Sequence, residues 1–169
     1  GSDDDYIESA ASTSDGGYIA VGYFRSSSIQ VGDYTLTNSG STIYSDGMII
    51  KYSAEGEIEW ARSVGGSDED YIESVAETID GGYIAVGYFY SSSIQVGDYT
   101  LTNAYSGRTD GMIIKYSAEG EVEWARREGG SSYDYLESVA STSDGGYIAV
   151  GYFYSDEIQV GDYTLTNSG

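Results

Sequence analysis

Apolar and polar positions along this chain follow the period of two that is typical of β-strands. In the segment GYIAVGYF at 82–89, both alternating sets are apolar or aromatic: one contains Ile84 and Val86, and the other contains Phe89. A strand filled on both faces is covered on both sides. No segment repeats its apolar positions with the period of a helix, so the pattern predicts an all-β fold.

One ten-residue sequence, DGGYIAVGYF, is written three times, at 15–24, 80–89 and 144–153. The copies are spaced by 65 and then by 64 residues, and the sequences around them repeat with the same spacing. The chain is therefore a tandem array. It divides into repeat 1 at 1–66, repeat 2 at 67–130 and a partial repeat 3 at 131–169.

Each full repeat predicts four antiparallel strands, which we call A to D. In repeat 2, strand A is YIESVAET, and an Asp-Gly-Gly turn supplies the positive φ angles of a tight hairpin into strand B. GMIIKYS and VEWARR form strands C and D on either side of the turn AEGE. An insertion separates strands B and C, at 25–45 in repeat 1 and at 90–109 in repeat 2. Its sequence IQV-GD-YTL predicts a small hairpin with Gly-Asp at the tip.

The length of the repeat points to one architecture. Removing the insertions of 21 and 20 residues leaves 44 residues in each full repeat, and a four-stranded propeller blade uses about 40–45. The sequence therefore predicts antiparallel four-stranded blades of β-propeller type, about two and a half of them, each with an inserted hairpin. Strand A, with its small residues, is expected nearest the axis, where blades crowd together. A blade cannot bury both faces alone, so copies must stack.

The motif order within a repeat resembles a known family. GGSDEDYIESVAETIDGGYIAVGYF followed by DGMIIKYSAEGEVEWA is similar to the bacterial β-propeller repeat family called SBBP. That family often has a Phe-Pro element after its second strand, where this chain has SSSIQVGDYTL and no proline. The resemblance implies a propeller that is extracellular or on the cell surface of a bacterium, without a shared catalytic activity.

The charge of the chain restricts its partners. Seven lysines and arginines stand against 28 aspartates and glutamates, a formal net charge of −21. Such a surface repels nucleic acid, whose binding requires clustered Lys and Arg, and it repels anionic membranes. No apolar run approaches the roughly 18 residues of a membrane span. We therefore expect no nucleic-acid binding and no membrane insertion, whereas cationic partners and divalent cations remain compatible.

The composition also argues against catalysis. Histidine and cysteine are both absent, which removes most nucleophilic, proton-transfer and transition-metal chemistry. The two lysines, Lys51 and Lys115, occupy equivalent positions, which favours a structural role. Paired carboxylates such as Glu121 and Glu123 suit glycoside hydrolysis, but they also suit a solvated edge strand whose charges discourage aggregation. We predict a non-catalytic protein.

Acidic turns supply the candidate metal ligands. The sequences GSDDDY, GSDEDY and SSYDY align at the start of each repeat, and their candidate calcium ligands are Asp3, Asp5, Asp68, Asp70 and Asp134. Carboxylate oxygens are the ligands that Ca²⁺ prefers. The alternative is that each aspartate caps a turn through its own backbone. The spacing matches no EF-hand loop, so the sequence leaves both interpretations open.

Tyrosine, present 19 times, supplies the candidate ligand-binding residues. A tyrosine buries a large ring and keeps a wet hydroxyl, which serves packing and glycan binding alike. The candidates lie in or beside the insertion hairpins: Tyr34, Tyr99, Tyr163, Tyr90 and Tyr154. Repeat 1 has Arg25 at the position of Tyr90, and variation on a repeated frame is typical of binding loops. Trp60 and Trp124 are equivalent, which favours packing between blades.

Two functional hypotheses follow. The first is a non-catalytic extracellular scaffold or adhesion array, and the alternative is a carbohydrate-binding, lectin-like propeller. Repeat 3 stops after strand B and its hairpin, so strand B is expected to expose Ile148, Val150 and Tyr152. Exposed strand edges pair with other chains, and repetition with a fixed offset extends a filament. The expected partners are therefore further repeats of this chain or other copies of it, with glycans as ligands under the alternative.

Overall fold

A computed structural model describes residues 1–41 and 43–168. Thr42, in the insertion of repeat 1, and Gly169, at the end of repeat 3, lie outside the described residues. The described residues form sixteen β-strands and no helix, which confirms the predicted all-β fold. Accordingly, this part of the chain offers no helix with the length and apolar character that crossing a membrane requires.

Repeat 1 contains six strands: β1 (Asp5–Ser12), β2 (Tyr18–Phe24), β3 (Ser28–Val31), β4 (Tyr34–Thr37), β5 (Asp46–Tyr52) and β6 (Ile58–Val64). Four of them form an antiparallel sheet in the spatial order β1-β2-β5-β6. The insertion forms a separate hairpin, β3-β4, whose last pair is Val31 and Tyr34. Gly32 takes a φ of +57° at the tip, so the predicted Gly-Asp hairpin is confirmed.

Repeat 2 reproduces this arrangement. Its strands are β7 (Asp70–Glu77), β8 (Tyr83–Phe89), β9 (Ser93–Val96), β10 (Tyr99–Thr102), β11 (Asp110–Tyr116) and β12 (Val122–Glu128). The sheet order is β12-β11-β8-β7, and β9 pairs with β10. The predicted strands A to D are thus confirmed as four neighbouring antiparallel strands in both full repeats.

Repeat 3 contains four strands: β13 (Asp134–Ser141), β14 (Tyr147–Phe153), β15 (Glu157–Val160) and β16 (Tyr163–Thr166). They form two two-stranded sheets, β13-β14 and β15-β16. The side chains of Ile148 and Val150 are 59% and 53% exposed, whereas their counterparts Ile84 and Val86 in β8 are 0% and 1% exposed. The predicted exposure of this second strand, Tyr152 included, is confirmed.

The three sheets pack in series, and they approach each other most closely at their first strands. β7 packs against β1 and β2, and β13 packs against β7 and β8. At the opposite edge, β6 lies beside β9, and β12 lies beside β15. One apolar core continues from the first sheet into the second, with Ile49 and Trp60 clustered with Ile72 and Tyr83. This is the crowding expected of strand A, while the placement of the sheets around a common axis stays a prediction.

Candidate functional site

The first strand of each sheet carries a β-bulge at a glutamate. In β7, the pairing with β8 shifts between Ile72 and Ser74, which leaves Glu73 as the extra residue. The same shift occurs in β1 and β13, so the bulge glutamates are Glu8, Glu73 and Glu137. The bulge brings the two backbones close, because a Cβ on Gly87 would lie 2.0 Å from the carbonyl oxygen of Tyr71. Bulges of this kind re-aim a side chain.

Six tyrosine rings form a continuous row beside these bulges. Within each sheet, two rings on paired strands lie 5.0–5.2 Å apart between centroids. Between sheets, Tyr23 meets Tyr71 at 4.7 Å and Tyr88 meets Tyr135 at 4.8 Å, each pair at an interplanar angle of 76°. Edge-to-face contacts bring the positive ring edge onto the negative ring face. This tyrosine row consists of Tyr6, Tyr23, Tyr71, Tyr88, Tyr135 and Tyr152.

The tyrosine row and the bulge glutamates share one electrostatic environment. Burial raises the pKa of Glu73, and the like charges of Glu8 and Glu137 raise it further. Burial and the charge of Glu73 also raise the pKa of Tyr88 above its usual range, which keeps this hydroxyl protonated. The charges of the glutamates in the first and third sheets therefore act on Glu73 in the second, next to hydroxyl groups that can donate hydrogen bonds.

A cleft of about 240 Å³ opens beside the row, at the junction of the second and third sheets. We call it the tyrosine cleft, and it is lined by Glu69, Tyr71, Tyr88, Tyr90, Thr109, Tyr133 and Tyr135. The guanidinium of Arg108 lies 4.7 Å from the ring centroid of Tyr133 and donates to its hydroxyl at 3.1 Å. Aromatic faces and a carboxylate therefore line one small concave site, and a cation lies against one of its tyrosines.

Two positions that differ between repeats lie at the junctions of the sheets. Arg25 takes the place of Tyr90 in repeat 1, and Glu69 takes the place of Tyr133. Nη2 of Arg25 donates to the carbonyl oxygen of Ile43 at 3.3 Å. The frame is thus constant, while the chemistry beside the tyrosine row changes from one junction to the next.

The five sequence-predicted tyrosines do not form one site. Hydroxyl groups of Tyr34 and Tyr99 donate to the carbonyl oxygens of Glu59 and Glu123, at 2.5 and 2.6 Å, and so fix each insertion hairpin to the fourth strand of its sheet. Tyr163, on β16, is 77% exposed, and Tyr154 is 63% exposed with its ring edge-on to Tyr152. Among the five, Tyr90 lines the tyrosine cleft.

Asp70, one of the candidate calcium ligands, is fully buried and accepts hydrogen bonds with both carboxylate oxygens. One oxygen accepts from Gly66 N at 2.7 Å and from Ser91 Oγ at 2.8 Å. The other accepts from the amides of Tyr90 and Ser91, each at 3.2 Å. Burial raises the pKa of Asp70 to about 7 against the lowering effect of these bonds. The carboxylate therefore ties the start of the repeat to the insertion.

The other acidic-turn residues follow the same pattern. Asp5 and Asp134 accept from Ser26 and Ser155 as Asp70 does from its serine. The backbone amides of Asp3 and Asp68 donate to serine hydroxyls at 3.0 and 2.9 Å. Within residues 1–41 and 43–168, no group of three or more acidic side chains is arranged to hold a metal. Calcium binding stays a prediction, for which the test is whether millimolar Ca²⁺ raises the melting temperature above its value in EDTA.

The lysines and the candidate catalytic glutamates all take part in ion pairs. Nζ of Lys51, which is 1% exposed, donates to Asp15 at 2.8 Å and to Glu59 at 3.0 Å. Lys115 lies 3.1 Å from Asp80 and 3.4 Å from Glu123. The guanidinium of Arg62 meets Glu121 at 3.2 Å, across the junction of the first and second sheets. These ion pairs connect the turns to neighbouring strands and the first sheet to the second.

Comparison with known proteins gives a partial match. The chain matches no protein-family model. It is similar to the regulatory protein FlaEY of Caulobacter vibrioides, with 32% identity over 102 residues. The matched segment is 60% of this chain and 11% of the relative, so the chain spans about a tenth of that protein's length. The fold and the repeated junctions define a class, an all-β tandem-repeat protein built from four-stranded antiparallel sheets.

Proposed function

We propose that this chain is a non-catalytic repeat module of an extracellular or surface-located bacterial protein, with sheets arranged as propeller-type blades. In this proposal it acts as a scaffold or adhesion array and associates with further repeats or other copies of itself. The relative is described as a regulatory protein, a description that names no reaction. The resemblance to SBBP repeats supports the proposed extracellular or surface location and the propeller-type architecture.

The observation that carries this proposal is the repeated junction between sheets. Trp60 Nε1 donates to the carbonyl oxygen of Ala118 at 2.9 Å, and the indole lies against Tyr83 and Tyr116 in the second sheet. Trp124 lies against Tyr147 of the third sheet in the same way. Each sheet thus presents to the next a surface like the one it receives, and surfaces of this kind support stacking in series.

Light scattering on the purified chain tests the association. We expect a mass above the 18.1 kDa of one chain at micromolar concentration. Val150→Lys, on the exposed strand β14, is expected to dissociate the assembly because it places a charge on the apolar edge. Ile43→Lys is the matched control, since Ile43 is also exposed and lies in a loop of repeat 1. A cooperative monomer at every concentration contradicts the association.

The tyrosine cleft favours a second candidate function, a lectin-like binder of carbohydrate. Sugar rings pack their C–H faces on aromatic rings and hydrogen-bond with hydroxyl and carboxylate groups, all of which line this cleft. A glycan array tests it, with Tyr90→Ala expected to abolish binding. Tyr163→Ala is the control, because Tyr163 lies outside the cleft. An array without hits favours the scaffold alone.

A further inference from the structure

The third sheet carries an apolar groove of about 360 Å³ along the free edge of β14. We call it the β14 groove, and its apolar lining includes Leu136, Val150, Ile158, Val160 and Leu165. Val160 and Leu165 belong to the insertion hairpin of repeat 3 and are 36% and 45% exposed. Among residues 1–41 and 43–168, no second strand pairs with β14, so the groove joins an open strand edge to the open face of a hairpin.

The two full repeats show what fills this place. In repeat 2, β11 pairs with β8 so that Met112 lies opposite Gly87 and Ile114 lies opposite Ala85. The side chains of Met112 and Ile114 are buried in one cluster with the hairpin residues Ile94, Val96 and Leu101. Repeat 1 uses Met48 and Ile50 of β5 with Ile29, Val31 and Leu36. The third strand of each full repeat thus covers both the second strand and the hairpin.

The carboxylate of Asp144 in repeat 3 is also placed to form an ion pair with a third strand. Asp144 accepts hydrogen bonds from Thr142 Oγ1 and from the amide of Gly146, as Asp80 does from Thr78 and Gly82. Asp15 and Asp80 each bind a buried lysine from the third strand of their sheet. In the described part of the chain, Asp144 has the same turn geometry but no lysine or arginine at ion-pair distance.

Tyr163 gives a third, independent indication that the edge of repeat 3 suits a third and a fourth strand. The equivalent residues, Tyr34 and Tyr99, donate to a carbonyl oxygen of the fourth strand, the one that precedes Trp60 or Trp124 in sequence. Tyr163 is 77% exposed. The edge of repeat 3 therefore matches, through apolar area, charge and a hydroxyl donor, the strands that the full repeats place there.

We propose that the β14 groove binds a β-strand pair with the sequence of this repeat's third and fourth strands, DGMIIKYSAEGEVEWARRE, by strand addition. In the register of repeat 2, the methionine of that pair lies opposite Gly151 and the lysine lies opposite Ile148, from where its ammonium reaches Asp144. The carbonyl oxygen of the glutamate that precedes the tryptophan in this strand pair accepts a hydrogen bond from the hydroxyl of Tyr163. The inference rests on the proposed scaffold function and names the segment through which it associates.

A labelled peptide of residues 110–128, added to the purified 169-residue chain, tests the proposal. Isolated two-stranded hairpins are marginally stable, so the peptide is expected to be disordered alone and ordered when bound. We expect a saturable rise in fluorescence anisotropy and slower hydrogen exchange of the β14 amides. A scrambled peptide of the same composition is expected not to bind.

Paired substitutions test the register. Asp144→Asn in the chain, and glutamine for the lysine in the peptide, are each expected to weaken binding about tenfold, since each removes a charge-assisted bond. The two changes together are expected to cost little more than either one, because both remove the same contact. Asp98→Asn removes the same charge at the exposed tip of β9-β10 and is expected to leave affinity unchanged.

Each of three peptide results overturns the proposal: no saturable binding to the folded chain, equal binding of the scrambled peptide, or additive effects of the two substitutions. Occupation of the groove by a second copy of the chain, which the peptide fails to displace, also overturns it. A monomeric chain that binds the peptide contradicts the proposed self-association and supports this inference. A chain that assembles but does not bind the peptide supports the proposed self-association and contradicts this inference. The failure of one proposal is therefore distinguishable from the failure of the other.

Discussion

The rings of Tyr23 and Tyr71 cross edge-to-face, with centroids 4.7 Å apart and an interplanar angle of 76°. Tyr23 lies in the first sheet and Tyr71 in the second, so this contact crosses the junction between repeats. Tyr88 and Tyr135 repeat it at the next junction with the same angle. The junction between sheets therefore contains a directional aromatic contact in addition to buried apolar surface.

A double-mutant cycle at this junction is expected to give a measurable coupling. Tyr23→Leu and Tyr71→Leu each keep apolar bulk and remove the edge-to-face geometry. We expect a coupling of about 0.5–1.5 kcal/mol in the free energy of unfolding by urea, as for other aromatic pairs. Tyr163→Leu, at an exposed ring, is expected to change that free energy by less than about 0.5 kcal/mol. Additive effects of the first two substitutions contradict the prediction.

Two glycine substitutions separate close backbone contact from backbone conformation. Gly87→Ala places a Cβ 2.0 Å from a backbone oxygen of β7, so we expect a loss of about 3 kcal/mol from overpacking. Gly81→Ala meets nothing within 4 Å but has a φ of +81°, so we expect a loss of about 1–2 kcal/mol. Urea unfolding of both variants measures the difference. Equal losses are incompatible with a close contact at the bulge.

Asp70 is expected to make stability fall as the pH rises. Its pKa in the folded protein is about 7, against 3.8 without burial. Between about pH 4 and pH 7 the unfolded chain releases this proton and the folded chain keeps it, so the free energy of unfolding decreases with rising pH across that window. Urea unfolding of the chain at a series of pH values measures this slope.

The slope can be assigned by substitution. Asp70→Asn is expected to lower stability at every pH, because the amide group faces N–H donors, and to flatten the slope between about pH 4 and pH 7. Asp98→Asn, at an exposed hairpin tip, is expected to leave the slope of stability against pH unchanged. An unchanged slope in Asp70→Asn rules out Asp70 as its source.

Asp80 is expected to act in the opposite direction at lower pH. Hydrogen bonds from Thr78 and Gly82, followed by the ammonium of Lys115, lower its pKa from 3.8 to about 2. Its contribution is therefore complete above about pH 4 and is lost as the pH falls toward 2. Thermal melting between pH 4 and pH 2 checks this, with Asp80→Asn expected to reduce the acid-induced decrease. A decrease in melting temperature of the same size in Asp80→Asn contradicts the predicted contribution of Asp80.

Local signals in the sequence were sufficient to predict the strands. The Asp-Gly-Gly and Gly-Asp pairs place the turns, and the filled faces of 82–89 predict a strand buried on both sides. Tyr83, Val86 and Phe89 are indeed no more than 2% exposed. The exposed second strand of repeat 3 also follows from sequence, because the repeat itself identifies the neighbours that cover this strand elsewhere.

The tyrosine row, the bulge glutamates and the partners of the lysines could not be predicted in this way. Tyr71 and Tyr88 recur in the sequence, but their contacts with Tyr23 and Tyr135 depend on how two sheets pack. Glu73 looks like an ordinary strand residue, since a bulge is defined by pairing with the neighbouring strand. One signal was available: a glycine that recurs inside a strand, as at Gly87, indicates a bulge or a close backbone approach.

The contact between Trp60 and the turn at Ala118 reaches forward along the chain, by 58 residues. A ribosome releases the first sheet before the second is finished, and domains fold in that order during synthesis. The completed first sheet can therefore act as a template on which the newly made second sheet docks, and the second can do the same for the third. In this order of synthesis, we expect a defect in an early sheet to disturb the docking of the sheet that follows it.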